Sequence, residues 1–130
     1  MKQFVLPSLL LLLLVCCKKS KDMPPSISGT WEIQRYMTPW INRVYTPGND
    51  TLIKFTLNQY QRTIDGQIIK QGTFRLIKDE LLNNEMGNRI IYDGETNASR
   101  EFYRIEGDRL IFSSDPRIMD GSVIYYHRIK

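Results

Sequence analysis

Four Asp/Gly pairs, Asp65-Gly66, Asp93-Gly94, Gly107-Asp108 and Asp120-Gly121, cut the second half of this chain into short runs. Asp and Gly tolerate the positive φ that tight reversals demand, so the chain is committed to brief elements joined by sharp turns. Between the turns apolar and polar residues alternate, which is the period of a strand with one wet face. Residues 30 to 36 set Trp31 and Ile33 on one side and Glu32 and Gln34 on the other. Residues 51 to 57 set Ile53, Phe55 and Leu57 inward and Lys54 and Thr56 outward. Further runs span residues 60–64, 68–77, 89–92, 101–105, 109–113 and 123–129, with Glu101 expected on the outer face. No window carries a 3.6-residue apolar period, although residues 79 to 85 (DELLNNE) fit either a short helical turn or a strand ending near Leu82. The fold class is therefore all-β, an antiparallel up-and-down meander of about eight strands. So many short strands have edges to protect, and closing them into a barrel does so most economically, a β-sandwich being the alternative.

The N terminus follows a different rule. Residues 4 to 15 form an apolar run with six consecutive leucines, preceded by Lys2 and followed by Cys16-Cys17 and then Lys18-Lys19. A dozen helical residues rise ~18 Å, well short of the ~30 Å hydrocarbon core, so a secretory signal is expected rather than a membrane span. The stretch resembles a bacterial lipoprotein signal, in which a small residue precedes the cysteine that is acylated. That resemblance implies cleavage after Cys16 and lipidation of Cys17. The competing register, with Cys16 acylated, would put branched Val15 before the cut. The expected organisation is a signal peptide at 1–16, a lipidated tether at 17–28 containing Pro24-Pro25, and a barrel domain at 29–130, with ordered structure from about Ile27. Cleavage would leave 114 residues of the 130, one cysteine committed to the anchor, and no disulfide. The surplus of base over acid then includes the tether lysines Lys18, Lys19 and Lys21, which suit anionic headgroups better than nucleic acid. Lysines rather than Asp after the acylated cysteine lack the inner-membrane retention cue. An outer-membrane lipoprotein facing the periplasm is expected, as a monomer bound to the membrane by its acyl anchor.

The Gly29-Thr30-Trp31 triplet opening the first strand, the TLIKFTLNQ, QGTFRL and GDRLIF segments and the closing VIYYHRI resemble the lipocalin-like lipoproteins of Bacteroidetes-type bacteria. The likeness spans most of residues 28 to 130 and implies an eight-stranded barrel. It implies structural roles for Gly29, Trp31 and Arg128, with Trp31 packed against Arg128 at the closed end by a cation–π contact. The chain departs from full lipocalins in its short mature length, in lacking their other two signature segments and in lacking their disulfide.

Little catalytic chemistry is visible. His127 is the one histidine, which excludes a histidine cluster for metal, and Asp79-Glu80 and Asp93-Gly94-Glu95 supply too few oxygens at loop spacing for calcium. No nucleophile elbow, phosphate loop or dinucleotide fingerprint is present. No cofactor and no enzymatic activity are expected. The informative irregular segment is residues 37 to 50, MTPWINRVYTPGND. In the lipocalin-like reading it lies across the barrel mouth, with Trp40 and Tyr45 as lid contacts to a small hydrophobic ligand. The same side chains could instead plug the mouth as extra core. Alternation offers Phe55, Leu57, Phe74, Phe102, Phe112, Tyr125 and His127 as lining if a cavity exists, each of them better read as ordinary core. Two functions follow: a membrane-anchored carrier of a small hydrophobic ligand, or a filled barrel that presents its loops to an envelope protein or a glycan.

Overall fold

The computed structural model describes residues 26–130. The signal peptide, Cys17 and most of the tether lie outside the described residues. Nine antiparallel strands follow in order: β1 (Gly29–Met37), β2 (Asn42–Val44), β3 (Thr51–Thr56), β4 (Gln59–Ile64), β5 (Gln67–Glu80), β6 (Met86–Tyr92), β7 (Glu101–Glu106), β8 (Arg109–Ser114) and β9 (Val123–Arg128). From β3 onward each pairs with the next, β1 pairs with β3, and β1 also pairs with β9. Eight strands thus close into a lipocalin-like barrel, and β2 is an additional strand on the edge of β1. No helix forms among the described residues. The segment at 79–85 continues β5 to Glu80 and then reverses through Asn83 and Asn84, both at positive φ, a conformation that Asn tolerates.

Residues of β1 reach β3 only through Gly29 to Glu32, while Arg35 to Met37 pair instead with β2. The segment at 37–50 is therefore not a lid. It reverses over Thr38, whose hydroxyl accepts from the Ile41 amide at 3.0 Å, and returns as β2 beside the strand it left. Below it, the loop at 46–50 covers Glu32, which faces outward as alternation requires but is buried under that loop. The Glu32 carboxylate accepts from the Gly48 amide at 2.8 Å, and Asn49 Nδ2 donates to the Ile33 carbonyl at 2.9 Å.

The interior is a layer of apolar rings. Phe55 meets Phe74 edge-on at 4.9 Å, Phe112 meets Tyr126 at 5.8 Å, and Trp31, Ile53, Ile90 and Leu110 fill the space around them. Ile27 belongs to this core, so the fold begins upstream of Gly29. At this end Trp31 is wholly buried, its indole Nε1 donates to the Ile27 carbonyl at 2.8 Å, and the Arg128 guanidinium lies 4.1 Å over its ring. Arg128 also donates to the carbonyls of Ser28 at 2.6 Å and Ser26 at 2.8 Å. A Cβ on Gly29, at φ 131°, would sit 2.6 Å from both Arg128 Nη1 and the Lys130 carbonyl oxygen, so the clamp requires glycine there.

Leu57 is not a core residue. It occupies the β3–β4 turn at φ 50° with 89% of its surface exposed. Of the six described non-glycine residues with positive φ, the other five are Asp or Asn, and leucine costs roughly 1 kcal/mol more in that region.

Replacing Arg128 by Ala removes a cation–π contact worth about 0.5–2 kcal/mol and two charged hydrogen bonds, so urea unfolding should show a loss of about 2–3 kcal/mol. Arg128→Lys, which keeps the charge but loses the two-pronged fork, should recover less than half of it. A loss near zero would mean that the clamp is incidental to closure.

Candidate functional site

Above the aromatic layer the inward positions change character. Arg62 lies opposite Ile53 and so points inside, as does Lys70 opposite Arg62. Glu101 lies opposite the core residue Ile90, which turns it inward too and corrects the outward placement expected from alternation. Across the barrel a bulge between Ile33 and Arg35 brings Tyr36 into register with Ile124, which packs on the core. Tyr36, Arg62 and Glu101, with Phe112 and Ile124 among others, wall a cavity of about 360 Å³ at the mouth, opening between the 93–100 and 115–122 loops. Its floor is the ring layer, so the cavity is a cup and does not run through the barrel.

Arg62 dominates the electrostatics. Its guanidinium lies 5.3 Å from the centre of the Tyr92 ring, and its Nε is buried with no hydrogen-bond partner. No carboxylate among the described residues comes within ion-pair distance of it. Glu101 answers it only through space. Burial pushes the Glu101 carboxyl above its ordinary range, and the fields of Arg62 and Lys70 offset this only in part. Burial likewise lifts Tyr126 to about 12 and Tyr92 further, with Glu101 adding to both. The buried Tyr92 hydroxyl has Arg62 as its polar neighbour. A cation without a carboxylate partner on the wall of the cavity is a group that an anionic ligand can satisfy.

The mouth is held from outside by an ion network. Arg100 pairs with Asp115 at 2.9 Å and with Asp79 at 3.3 Å, and donates to the Glu80 carbonyl at 2.6 Å. Arg89 pairs with the same Asp79 at 3.0 Å and donates to the Thr96 carbonyl at 3.0 Å. Hydrogen bonds from Arg117 and Arg100 hold the Asp115 carboxyl well below the usual range. These bonds draw the far end of the β5–β6 hairpin and both mouth loops onto the outer face of β7. A second anchor is Asp93, which accepts from the Tyr60 hydroxyl at 2.8 Å and the Thr73 amide at 3.0 Å. A Cβ at Gly72 would collide with that carboxylate.

Of the expected lining residues, Phe55, Phe74 and Phe112 face inside but are packed core, with Phe112 alone reaching the cup. Phe102 pairs with Arg89 and faces outward, buried beneath Arg100 at 5.0 Å. Tyr125 also faces outward, opposite Arg35, with Arg109 5.9 Å above it. His127 lies opposite Glu32, outside the barrel, its Nε2 3.7 Å from the carboxylate. The reason is one of parity: Arg128 over Trp31 is inside, so its neighbours in alternation, Ile124 and Tyr126, are inside with it. Trp40 stands 76% exposed at the β1–β2 tip, and Tyr45 packs against the core. Arg62 was missed, although its two-residue spacing from Tyr60 in β4 carries the signal. Among the described residues no group of three or more His, Cys, Asp or Glu could hold a metal ion. Comparison with family models, with curated proteins and with solved structures finds no match to this chain.

A carboxyl with a raised folded pKa loses stability as pH climbs from its unfolded pKa through its folded one. Glu101→Gln, which mimics the protonated acid, should therefore raise the urea midpoint at pH 7. The gain should vanish below pH of about 4, where Glu101 is protonated in both states. An equal gain at both pH values would contradict burial of the charge as its cause.

Proposed function

We propose that this chain is a lipocalin-like lipoprotein, acylated on Cys17 and held at the outer membrane facing the periplasm, whose barrel binds a small amphipathic anion in its mouth without catalysis. The observation that supports it is Arg62, a half-buried cation without a carboxylate partner on the wall of a 360 Å³ cup. A ligand carboxylate there would take up the unpaired donors, since charge-assisted hydrogen bonds are the strong ones in a dry site. Tyr36, Phe112 and Ile124 would receive its apolar part. At ~30 Å³ each, the cup admits about a dozen non-hydrogen atoms. A long hydrophobic ligand lying along the barrel axis is not favoured, because the ring layer fills that path. The leader and Cys16-Cys17 support the anchor, and the Lys-bearing tether supports contact with headgroups rather than nucleic acid.

The second reading, docking of the mouth on an envelope protein, draws support from Trp40, Ile41, Ile118 and Met119, all exposed on the mouth loops. Native mass spectrometry of the protein purified without denaturation separates the two. A bound small anion that weakens about ten- to hundredfold in Arg62→Met, the worth of its charged hydrogen bonds, is expected for the binding module. A stoichiometric protein partner, with no small molecule and no effect of Arg62→Met, would replace that reading with the second.

A further inference from the structure

We infer that the tether end of the barrel is a membrane-docking face, with Leu57 as the side chain that enters the bilayer. This rests on the lipoprotein reading for its location, but its geometry is independent of the mouth. A groove of about 550 Å³ opens at this end, walled by Ile27, Leu57, Phe74, Leu76 and Tyr103, with Ser26 and Ser28 on its rim. Its lining is thus mostly apolar, and Leu57 and Leu76 are among the large apolar side chains left exposed. Ser26 is where the chain enters the barrel, and Arg128 fixes the carbonyls of Ser26 and Ser28, so the entry point cannot swing away from the groove. Only residues 18 to 25 separate Ser26 from Cys17. A span that short keeps this end beside the membrane holding the anchor.

Leu57 carries the inference further. Two-residue turns are filled by Asn, Asp or Gly where φ is positive, yet here a leucine holds φ 50° and turns its side chain to solvent. Such strain is retained where it serves a contact. Arg75, on the same groove, and the tether lysines supply cations that match anionic headgroups around an inserted apolar side chain. The occupant is therefore a lipid surface, and the mouth, at the other end of the strands, is directed away from it.

The test uses the acylated protein in vesicles of phosphatidylethanolamine and phosphatidylglycerol with brominated acyl chains, which quench nearby tryptophan. Trp31 emits in every variant, so each signal is taken by difference from Trp40→Phe: the emission of Trp40, at the mouth, should be kept, whereas the emission added by Leu57→Trp in that background should mostly be lost. Quenching of Trp40, or none at position 57, overturns the orientation. A second measurement does not depend on acylation, because a chain starting at Lys18 retains the whole interior cluster. Leu57→Asn relieves the turn strain, so this variant should melt higher while its partitioning onto the same vesicles falls roughly tenfold, the worth of one buried leucine. Unchanged partitioning overturns the docking face. An absent acyl group with partitioning still lost in Leu57→Asn would instead overturn only the anchor.

Discussion

The ladder between β1 and β9 joins residues about a hundred positions apart, and the rest of the molecule depends on it. Without it Trp31 and Arg128 would belong to opposite edges of an open sheet, each presenting unpaired amides to other chains. With it, Thr30 donates to the Lys130 carbonyl at 3.1 Å, Ile129 donates to the Thr30 carbonyl at 2.9 Å, and the last strand is tied to the first. Contacts of such long range are entropically costly to close. The Arg128 fork, by reaching back to Ser26 and Ser28, adds two charged bonds at the point where that cost is concentrated. No disulfide is available to share the task among the described residues.

Closure also divides the interior. The pleat sends every second residue inside, and the stagger of the strands decides which of those stand at the same height. Phe55, Phe74, Phe112 and Tyr126 meet in one layer and exclude water. Arg62 and Glu101 stand above it, too far apart to pair directly yet both half-buried and partly desolvated. Low dielectric makes each of these charges more expensive and more effective toward a ligand. A packed layer below and unpaired charge above give a shallow site that selects by charge and size rather than by length.

Much of this was legible in the sequence, and the failures share one cause. The turn pairs and the alternation located the strands, and Trp31 with Arg128 located the closed end. What alternation alone could not settle was which face is inside where both faces are apolar. In β9, Val123 and Tyr125 compete with Ile124 and Tyr126. In β7, Phe102 competes with Tyr103 and Ile105. The presence of Glu101 in the second set made Phe102 the natural choice for the interior, and the structure takes the other side because Glu101 is itself a half-buried charge lining the site. Placing Arg128 inside already decides β9, since residues 124 and 126 share its parity. Glu32 and Leu57 were illegible for a different reason: the burial of one and the exposure of the other are set by a loop and a turn, which no periodicity describes.

The segment after β1 shows how the wall and the site are linked. Because β3 engages only the first four residues of β1, the upper edge of β1 would stand open at the very place where the cup lies. The β2 strand covers that edge, Tyr45 fills the gap behind it, and the 46–50 loop seals Glu32 against the outside of the wall. A segment spent on the wall cannot also close over the mouth. Access to Arg62 is thus ungated by this segment, and retention of a ligand has to come from the charge and the ring layer beneath it rather than from a lid.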